Sequence, residues 1–211
     1  MTKLKHIAIA GNIGAGKTTL SELLSKHYGW KVQYEDTTTN PYLGDFYEDM
    51  QRWSFNLQIY FLNSRYRQIL DIRNGGETVI QDRTIYEDAN IFAPNLHEMS
   101  LMSERDFQNY QDLFALMLKQ VQPPDLLIYL KSGIPKLVEH IQTRGRDYEG
   151  NMSLEYLKKL NERYESWISK YNEGNLLIIQ NDNLDFKNNP EDLGLIIEKI
   201  DAEIHGLFNL R

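Results

Sequence analysis

Residues Gly11–Thr18 read G-N-I-G-A-G-K-T, a complete G-x-x-x-x-G-K-[ST] phosphate loop. An apolar, strand-like run, His6-Ile7-Ala8-Ile9-Ala10, leads into it, and a helix-like run, Thr19-Leu20-Ser21-Glu22-Leu23-Leu24, follows. That strand-loop-helix context gives the pattern its chemical meaning. Gly11, Gly14 and Gly16 let the backbone approach phosphate oxygens and aim several N–H groups at them, while the helix N-terminus adds its partial positive charge. The candidate nucleotide-binding segment is Gly11, Asn12, Ile13, Gly14, Ala15, Gly16, Lys17, Thr18 and Thr19. Lys17 is expected to reach the β- and γ-phosphates of a nucleoside triphosphate, and the Thr18 hydroxyl to ligate Mg²⁺.

Composition frames that reading. A chain of 211 residues fits one domain spanning 1–211, large enough for a substantial core. Hydrophobic residues make up 41%, yet no uninterrupted apolar stretch approaches the roughly 18 residues of a membrane helix. Met1-Thr2-Lys3-Leu4-Lys5 runs directly into the first strand without a signal-peptide pattern. With no cysteine, disulfides and thiolate zinc sites are excluded, and a cytoplasmic location is expected. The net charge of −7 argues against a general nucleic-acid surface. A polyphosphate must then be held by a local cluster of cations, and the expected partners are small molecules.

Strand and helix signals alternate. Strands are expected at His6–Ala10, Lys31–Tyr34, Thr78–Gln81, Leu126–Leu130 and Leu176–Ile179. Helices are expected at Thr18–His27, a long Asp45–Arg73, Ser103–Gln120, Pro135–Thr143, Leu154–Tyr171 and Pro190 to about Ile204. This order predicts an α/β fold: a five-stranded parallel sheet with helices on both faces. Ligands of such sheets sit beyond the carboxyl ends of the strands. There the second strand runs into Glu35-Asp36 and the third into Asp82-Arg83-Thr84. Carboxylates and an arginine beside a phosphate loop suit phosphoryl transfer, which needs an acidic Mg²⁺ contact and an acceptor for the hydroxyl proton. Whether Glu35 or Asp82 is that base stays open.

The long helix supplies a second constellation. Gln58, Phe61, Leu62 and Arg65 follow i, i+3, i+4, i+7 spacing and share one face. An amide and a guanidinium on an otherwise apolar stripe suit the edge of a nucleobase, because glutamine donates and accepts together. Spacing alone equally allows a plain core stripe with polar residues at the surface.

In their joint order these residues resemble the deoxyribonucleoside kinases, in particular the compact bacterial branch. The resemblance covers nearly the whole chain. It rests on the phosphate loop, Glu35, Asn40-Pro41 leading to Phe46-Tyr47, Arg52-Trp53-Ser54-Phe55-Asn56-Leu57-Gln58, Asp82-Arg83-Thr84 and Arg144-Gly145-Arg146-Asp147-Tyr148-Glu149. Leu154-Glu155-Tyr156-Leu157 and Tyr164-Glu165-Ser166-Trp167 complete the series. The resemblance implies a phosphate-loop kinase fold with a short lid at about 144–152, and ATP and Mg²⁺ as cofactors. It places Glu35 and Arg83 by the 5′-hydroxyl, Tyr47 and Glu149 by the 3′-hydroxyl, Gln58 on the base edge and Phe92 stacked on the base. Arg65 and Asp88 correspond to a pair found in deoxycytidine and deoxyguanosine kinases, and Arg144 and Arg146 to lid arginines. Asp185 and Phe186 fall in a loop like the one that holds the ATP adenine. A homodimer through the long helix and Ser103–Gln120 is also implied.

The chain departs from that pattern in places. Asp82-Arg83-Thr84 replaces Glu-Arg-Ser, Tyr148-Glu149 keeps only the second of two lid glutamates, and His140 stands where another arginine is expected. The family's tryptophan shortly after the strand-end glutamate has no counterpart, position 40 being Asn40. A nucleoside monophosphate kinase would share the loop and lid but need extra cations for its acceptor phosphate. A non-catalytic kinase-like subunit would be expected to lose Lys17, Arg83 or the lid arginines, which are all present. The expected substrate is deoxyadenosine, then deoxyguanosine or deoxycytidine, with thymidine last.

Overall fold

The computed structural model describes residues 4–35, 37, 39–146, 149–150 and 152–205. Asp36, Tyr148 and part of the expected lid lie outside the described residues. The chain order is β1 (His6–Ala10), α1 (Lys17–Tyr28), β2 (Lys31–Gln33), α2 (Leu43–Glu48), α3 (Met50–Asn74) and β3 (Val79–Asp82). Then come α4 (Ile85–Glu87), a π-helical turn (Asp88–Phe92), α5 (Ala93–Glu98), α6 (Glu104–Leu118), β4 (Leu126–Lys131), α7 (Ile134–Arg144), α8 (Leu154–Ile168), β5 (Asn175–Gln180) and α9 (Pro190–His205).

The five strands form one parallel sheet in the order β2-β3-β1-β4-β5. The central strand β1 is wholly buried, as expected for a strand covered on both faces. Its side chains alternate between two cores. Ile7 and Ile9 join Leu20 and Leu24 of α1, Leu137 of α7 and Ile196 and Ile200 of α9. Ala8 and Ala10 face the other way, where their small side chains leave room for Phe61, Tyr129, Tyr156 and Tyr164.

All five strands lie within a residue or two of their expected bounds, but two helical readings need correction. The expected continuous helix Asp45–Arg73 is broken at Asp49, whose non-helical backbone starts α3 while its carboxylate accepts from the Arg52 N–H at 3.0 Å. A short acidic side chain satisfies a helix N-terminus better than a helix interior, so the chain restarts there. Tyr47 and Gln58 therefore stand on separate helices. The segment Ile85–Glu98, for which no helix was assigned, is helical throughout. Its start is a capping box in which Thr84 and Glu87 satisfy each other's backbone N–H.

Candidate active site

A cavity of about 890 Å³ opens above the carboxyl ends of the strands. Its floor is the phosphate loop. Gly14 and Gly16 adopt left-handed backbone, φ +85° and +90°, and a Cβ on Gly14 would lie 2.6 Å from the Leu137 carbonyl oxygen. Both glycines are thus required, one by packing against α7 and the other by conformation. The Lys17 ammonium folds back on the loop, donating to the carbonyls of Gly11 at 2.9 Å and Asn12 at 3.2 Å. Asn181, just beyond β5, anchors the loop from behind by donating to the Ala15 carbonyl at 3.0 Å.

Ile13, Gly14, Gly16, Lys17, Thr18 and Thr19 line the cavity. Gly11, Asn12 and Ala15 belong to the loop without lining it. The Gly11 N–H donates to Glu87 at 3.2 Å, the Asn12 amide to Leu157 and Asn161 at 3.2 Å each, and Ala15 is fully buried. Asp185 and Phe186 close the cavity beside the phosphate loop, with Phe186 against Gly16.

Beyond the phosphate loop, around Glu35, the charges form a knot. The Glu35 carboxylate receives the Arg65 guanidinium at 2.8 Å and that of Arg83 at 3.0 Å, and a second nitrogen of Arg65 lies 2.5 Å from Asp88. Burial alone would raise the Glu35 pKa, but Arg83, Arg65 and Lys17 bring it down to about 2. Burial pushes Asp88 up to about 6 despite the two arginines, with Glu35 and Glu87 adding like charge. Burial and the nearby Arg83 lower Lys17 to about 8, against the pull of Asp82, Glu35 and Glu87. Asp82 is raised by burial, with Glu35 adding to the effect and Lys17 opposing it.

The open choice between the carboxylates acquires a geometric difference here. Glu35 lines the cavity, whereas Asp82 sits behind the loop and accepts from the Thr18 hydroxyl at 2.5 Å. The other Asp82 oxygen is buried with no hydrogen-bond partner among the described residues. Two oxygen donors beside a phosphate loop fit Mg²⁺, which fills its remaining positions with water and phosphate oxygens. No cluster of three or more His, Cys, Asp or Glu suited to a metal occurs among the described residues.

The expected base-reading face of α3 is buried rather than superficial: Gln58 is 2% and Arg65 0% exposed. The Gln58 carbonyl oxygen has no hydrogen-bond partner among the described residues, and Gln58 lines the cavity. Asp88 and Phe92 line it too, carried by the π-helical turn. Phe92 lies 4.5 Å beneath the Arg83 guanidinium, and Phe61 5.0 Å from that of Arg65. Tyr47 and Glu149 also line the cavity, and Glu149 binds Arg144 at 2.5 Å and Arg146 at 3.7 Å. One carboxylate thereby pairs with both arginines of the Arg144-Gly145-Arg146 run.

Several contributing residues had no role in the sequence reading. Fully buried Glu87 accepts from Gly11, from the Thr84 N–H at 2.7 Å and from the Tyr164 hydroxyl at 2.8 Å. That same hydroxyl accepts from Arg83 at 3.0 Å, and Arg83 holds a left-handed φ of +72°. The T-x-x-E spacing of Thr84 and Glu87 was the available signal. Tyr156, from the Leu154–Leu157 run, and Lys136, which belongs to no motif, line the cavity as well.

Comparison with known proteins agrees with this geometry. Residues 7–205 match the deoxynucleoside kinase family. The chain is 39% identical over 201 residues to the deoxyadenosine/deoxycytidine kinase of Bacillus subtilis, covering 94% of this chain and 93% of that one. It is 44% identical over 169 residues to the deoxyadenosine kinase of Dictyostelium discoideum, covering 79% and 69%. A solved deoxyadenosine kinase of M. mycoides, holding dCMP and dCDP, superposes with a TM-score of 0.84 at 30% identity, covering 93% of this chain and 99% of that one. With its phosphate loop and the buried Gln58 of α3 lining one cavity, and with these relatives, the chain belongs to the deoxynucleoside kinase family and is an ATP-dependent enzyme of it.

Proposed function

We propose that this kinase transfers the γ-phosphate of ATP to the 5′-hydroxyl of deoxyadenosine, with deoxyguanosine or deoxycytidine as secondary acceptors. The observation that carries this reading is the buried set Gln58, Arg65 and Asp88, which offers donors and acceptors to a base edge. An exocyclic amine, or a six-position carbonyl next to a ring N–H, can satisfy such a set. Thymine would bring a methyl group against charge and leave polar atoms unpaired, which costs about 1–3 kcal/mol, or roughly tenfold or more in efficiency. All three relatives described above act on deoxyadenosine by name.

Within this reading Glu35 accepts from the 5′-hydroxyl. Its low proton affinity makes it an orienting acceptor held by Arg65 and Arg83 rather than a strong base. Thr18 and Asp82 would hold Mg²⁺, which when bound neutralises charge on the phosphates. Lys17, Arg144 and Arg146 meet the phosphates. Tyr47 and Glu149 take the 3′-hydroxyl and crowd the 2′-carbon, favouring deoxyribose over ribose. A phosphate acceptor would need spare cations at this end, but Arg65 and Arg83 are both engaged with Glu35. A homodimer using α3 and α6 belongs to the same proposal. So does a cytoplasmic location, where ATP is at hand.

Specificity constants for the four deoxynucleosides and their ribose counterparts test it. Deoxyadenosine should rank first, thymidine last, and each deoxynucleoside above its riboside. Thymidine as the best substrate, or an unchanged ranking when Arg65→Met and Asp88→Ala are combined, would overturn the assignment.

A further inference from the structure

Gln81 is fully buried in β3, so its side-chain amide must find partners within the protein. A chain of hydrogen bonds supplies them and runs on to the edge of the sheet. The His6 Nε2 stands 2.9 Å from the Gln81 Oε1, the Gln81 Nε2 donates to the Gln68 Oε1 at 3.0 Å, and the Gln68 Nε2 donates to the Tyr34 carbonyl at 2.9 Å. The last acceptor sets the direction of every bond. A backbone carbonyl can only accept, so Gln68 presents its NH₂ to Tyr34 and its oxygen to Gln81. The Gln81 oxygen then turns to His6, which donates from Nε2. Burial lowers the His6 pKa to about 4, against the Gln81 hydrogen bond and the Asp125 charge, so the ring is neutral near pH 7 and the chain has one arrangement.

β2 stops at Gln33, which pairs with Gln81, and Tyr34 follows beyond the ladder. Gln68 therefore supplies from α3 a bond where sheet pairing ends. The Tyr34 carbonyl belongs to the planar peptide unit that leads into Glu35, so fixing that plane fixes where the Glu35 side chain starts. Arg65, one turn earlier on α3, holds the Glu35 carboxylate at 2.8 Å. One helix thus grips Glu35 by its backbone and by its side chain. On the reading of Glu35 as the acceptor of the 5′-hydroxyl, we propose that Gln68 is a positioning residue for phosphoryl transfer, its bond to the Tyr34 carbonyl setting where the Glu35 carboxylate meets the nucleoside. Gln68 is not among the residues that line the cavity, so its influence passes through Glu35. A small displacement of a reacting or orienting group is enough to slow transfer.

The test is the single-turnover rate of phosphoryl transfer at saturating ATP, with whichever deoxynucleoside reacts fastest. The proteins compared are the wild type, Gln68→Met, Gln68→Glu, Glu35→Gln, and Glu35→Gln combined with Gln68→Met. Gln68 is half-buried on α3, and Met and Glu match its length and helix propensity, so these variants should fold. Gln68→Met removes both bonds, whereas Gln68→Glu keeps an acceptor for Gln81 but has no donor for Tyr34. Both should lose roughly tenfold in rate, with ATP affinity in the absence of nucleoside unchanged. Glu35→Gln should lower the rate by itself, and adding Gln68→Met should then change it by less than about twofold, because the group it positions is already impaired. A wild-type rate in Gln68→Met, a loss absent from Gln68→Glu, or a further loss of the same size in the combined variant would overturn the proposal while leaving the role of Glu35 standing. A wild-type rate in Glu35→Gln would overturn that role and the proposal with it.

Discussion

Lys17 is buried against its own loop, where losing water and facing Arg83 bring its pKa to about 8. A free enzyme therefore loses this charge just above neutrality, and kcat/KM for ATP should fall as pH rises through about 8. Bound triphosphate favours the ammonium, so the same limb in kcat should lie at higher pH. Stability runs the opposite way. The unfolded chain binds more protons between the lowered value of about 8 and the ordinary 10.5, so this residue's contribution to stability rises with pH over that window. Profiles of kcat/KM and of denaturant midpoints over the same pH range check both signs, and a flat kcat/KM would refute the assignment. Replacing the charge altogether, Lys17→Ala, should cut turnover by orders of magnitude with little loss of folding, because it removes charge that acts on the transferring phosphoryl. Much at this scale was legible in the sequence. Lys17 and Thr18 sit in a spaced motif with one structural solution, and Gln58 and Arg65 share a helix face whatever surrounds it. That Arg65 also grips Glu35 was not legible, because thirty positions of chain separate them and only the folded cavity brings them to 2.8 Å.

The segment from Ile85 to Glu98 shows why an element can be missed and still matter. Ile85, Phe92 and Leu96 keep the i, i+7, i+11 spacing of a helix, but the stripe is short, Pro94 interrupts it and the π-helical turn shifts its register. The capping box at its start does more than begin a helix. The Glu87 carboxylate collects donors from Gly11, Thr84 and Tyr164, joining the phosphate loop to the turn that carries Arg83. A glutamine has only one accepting oxygen, so Glu87→Gln should leave donors facing its amide hydrogens. We expect a stability loss of about 2 kcal/mol together with a drop in kcat, read by chemical denaturation and by steady-state kinetics. Wild-type stability in this variant would show that the hub is dispensable. The helix break at Asp49 was equally hidden. Its cap depends on one side chain turning back on its own backbone, which residue order permits at any aspartate.

At the scale of the whole molecule, α6 is unusual in leaving Leu116 59% exposed, with Leu113, Phe114 and Met117 half-buried around it. An apolar strip of this kind is what a second copy would cover, which agrees with the proposed homodimer through α3 and α6. Sedimentation at micromolar concentration should give a dimer, and Leu116→Glu should shift it toward monomer; a monomeric wild type would contradict the assembly. The sheet order itself was foreseen only as parallel, since strand alternation does not say which neighbours pair. That order puts β2 at an edge, three residues long and bonded on one side only, to β3. Glu35 lies two residues beyond it, on the edge side of the sheet. Local opening begins where the fewest bonds must break, so the amides of Lys31–Gln33 are the first of the sheet to meet solvent exchange. Each such excursion loosens the backbone that leads to Glu35, the proposed hydroxyl-orienting group, whose carboxylate is then held by Arg65 and Arg83 alone, while the phosphate loop, on the buried central strand, stays in place. On the proposed roles, nucleotide binding and hydroxyl orientation then rest on parts of the sheet that open independently.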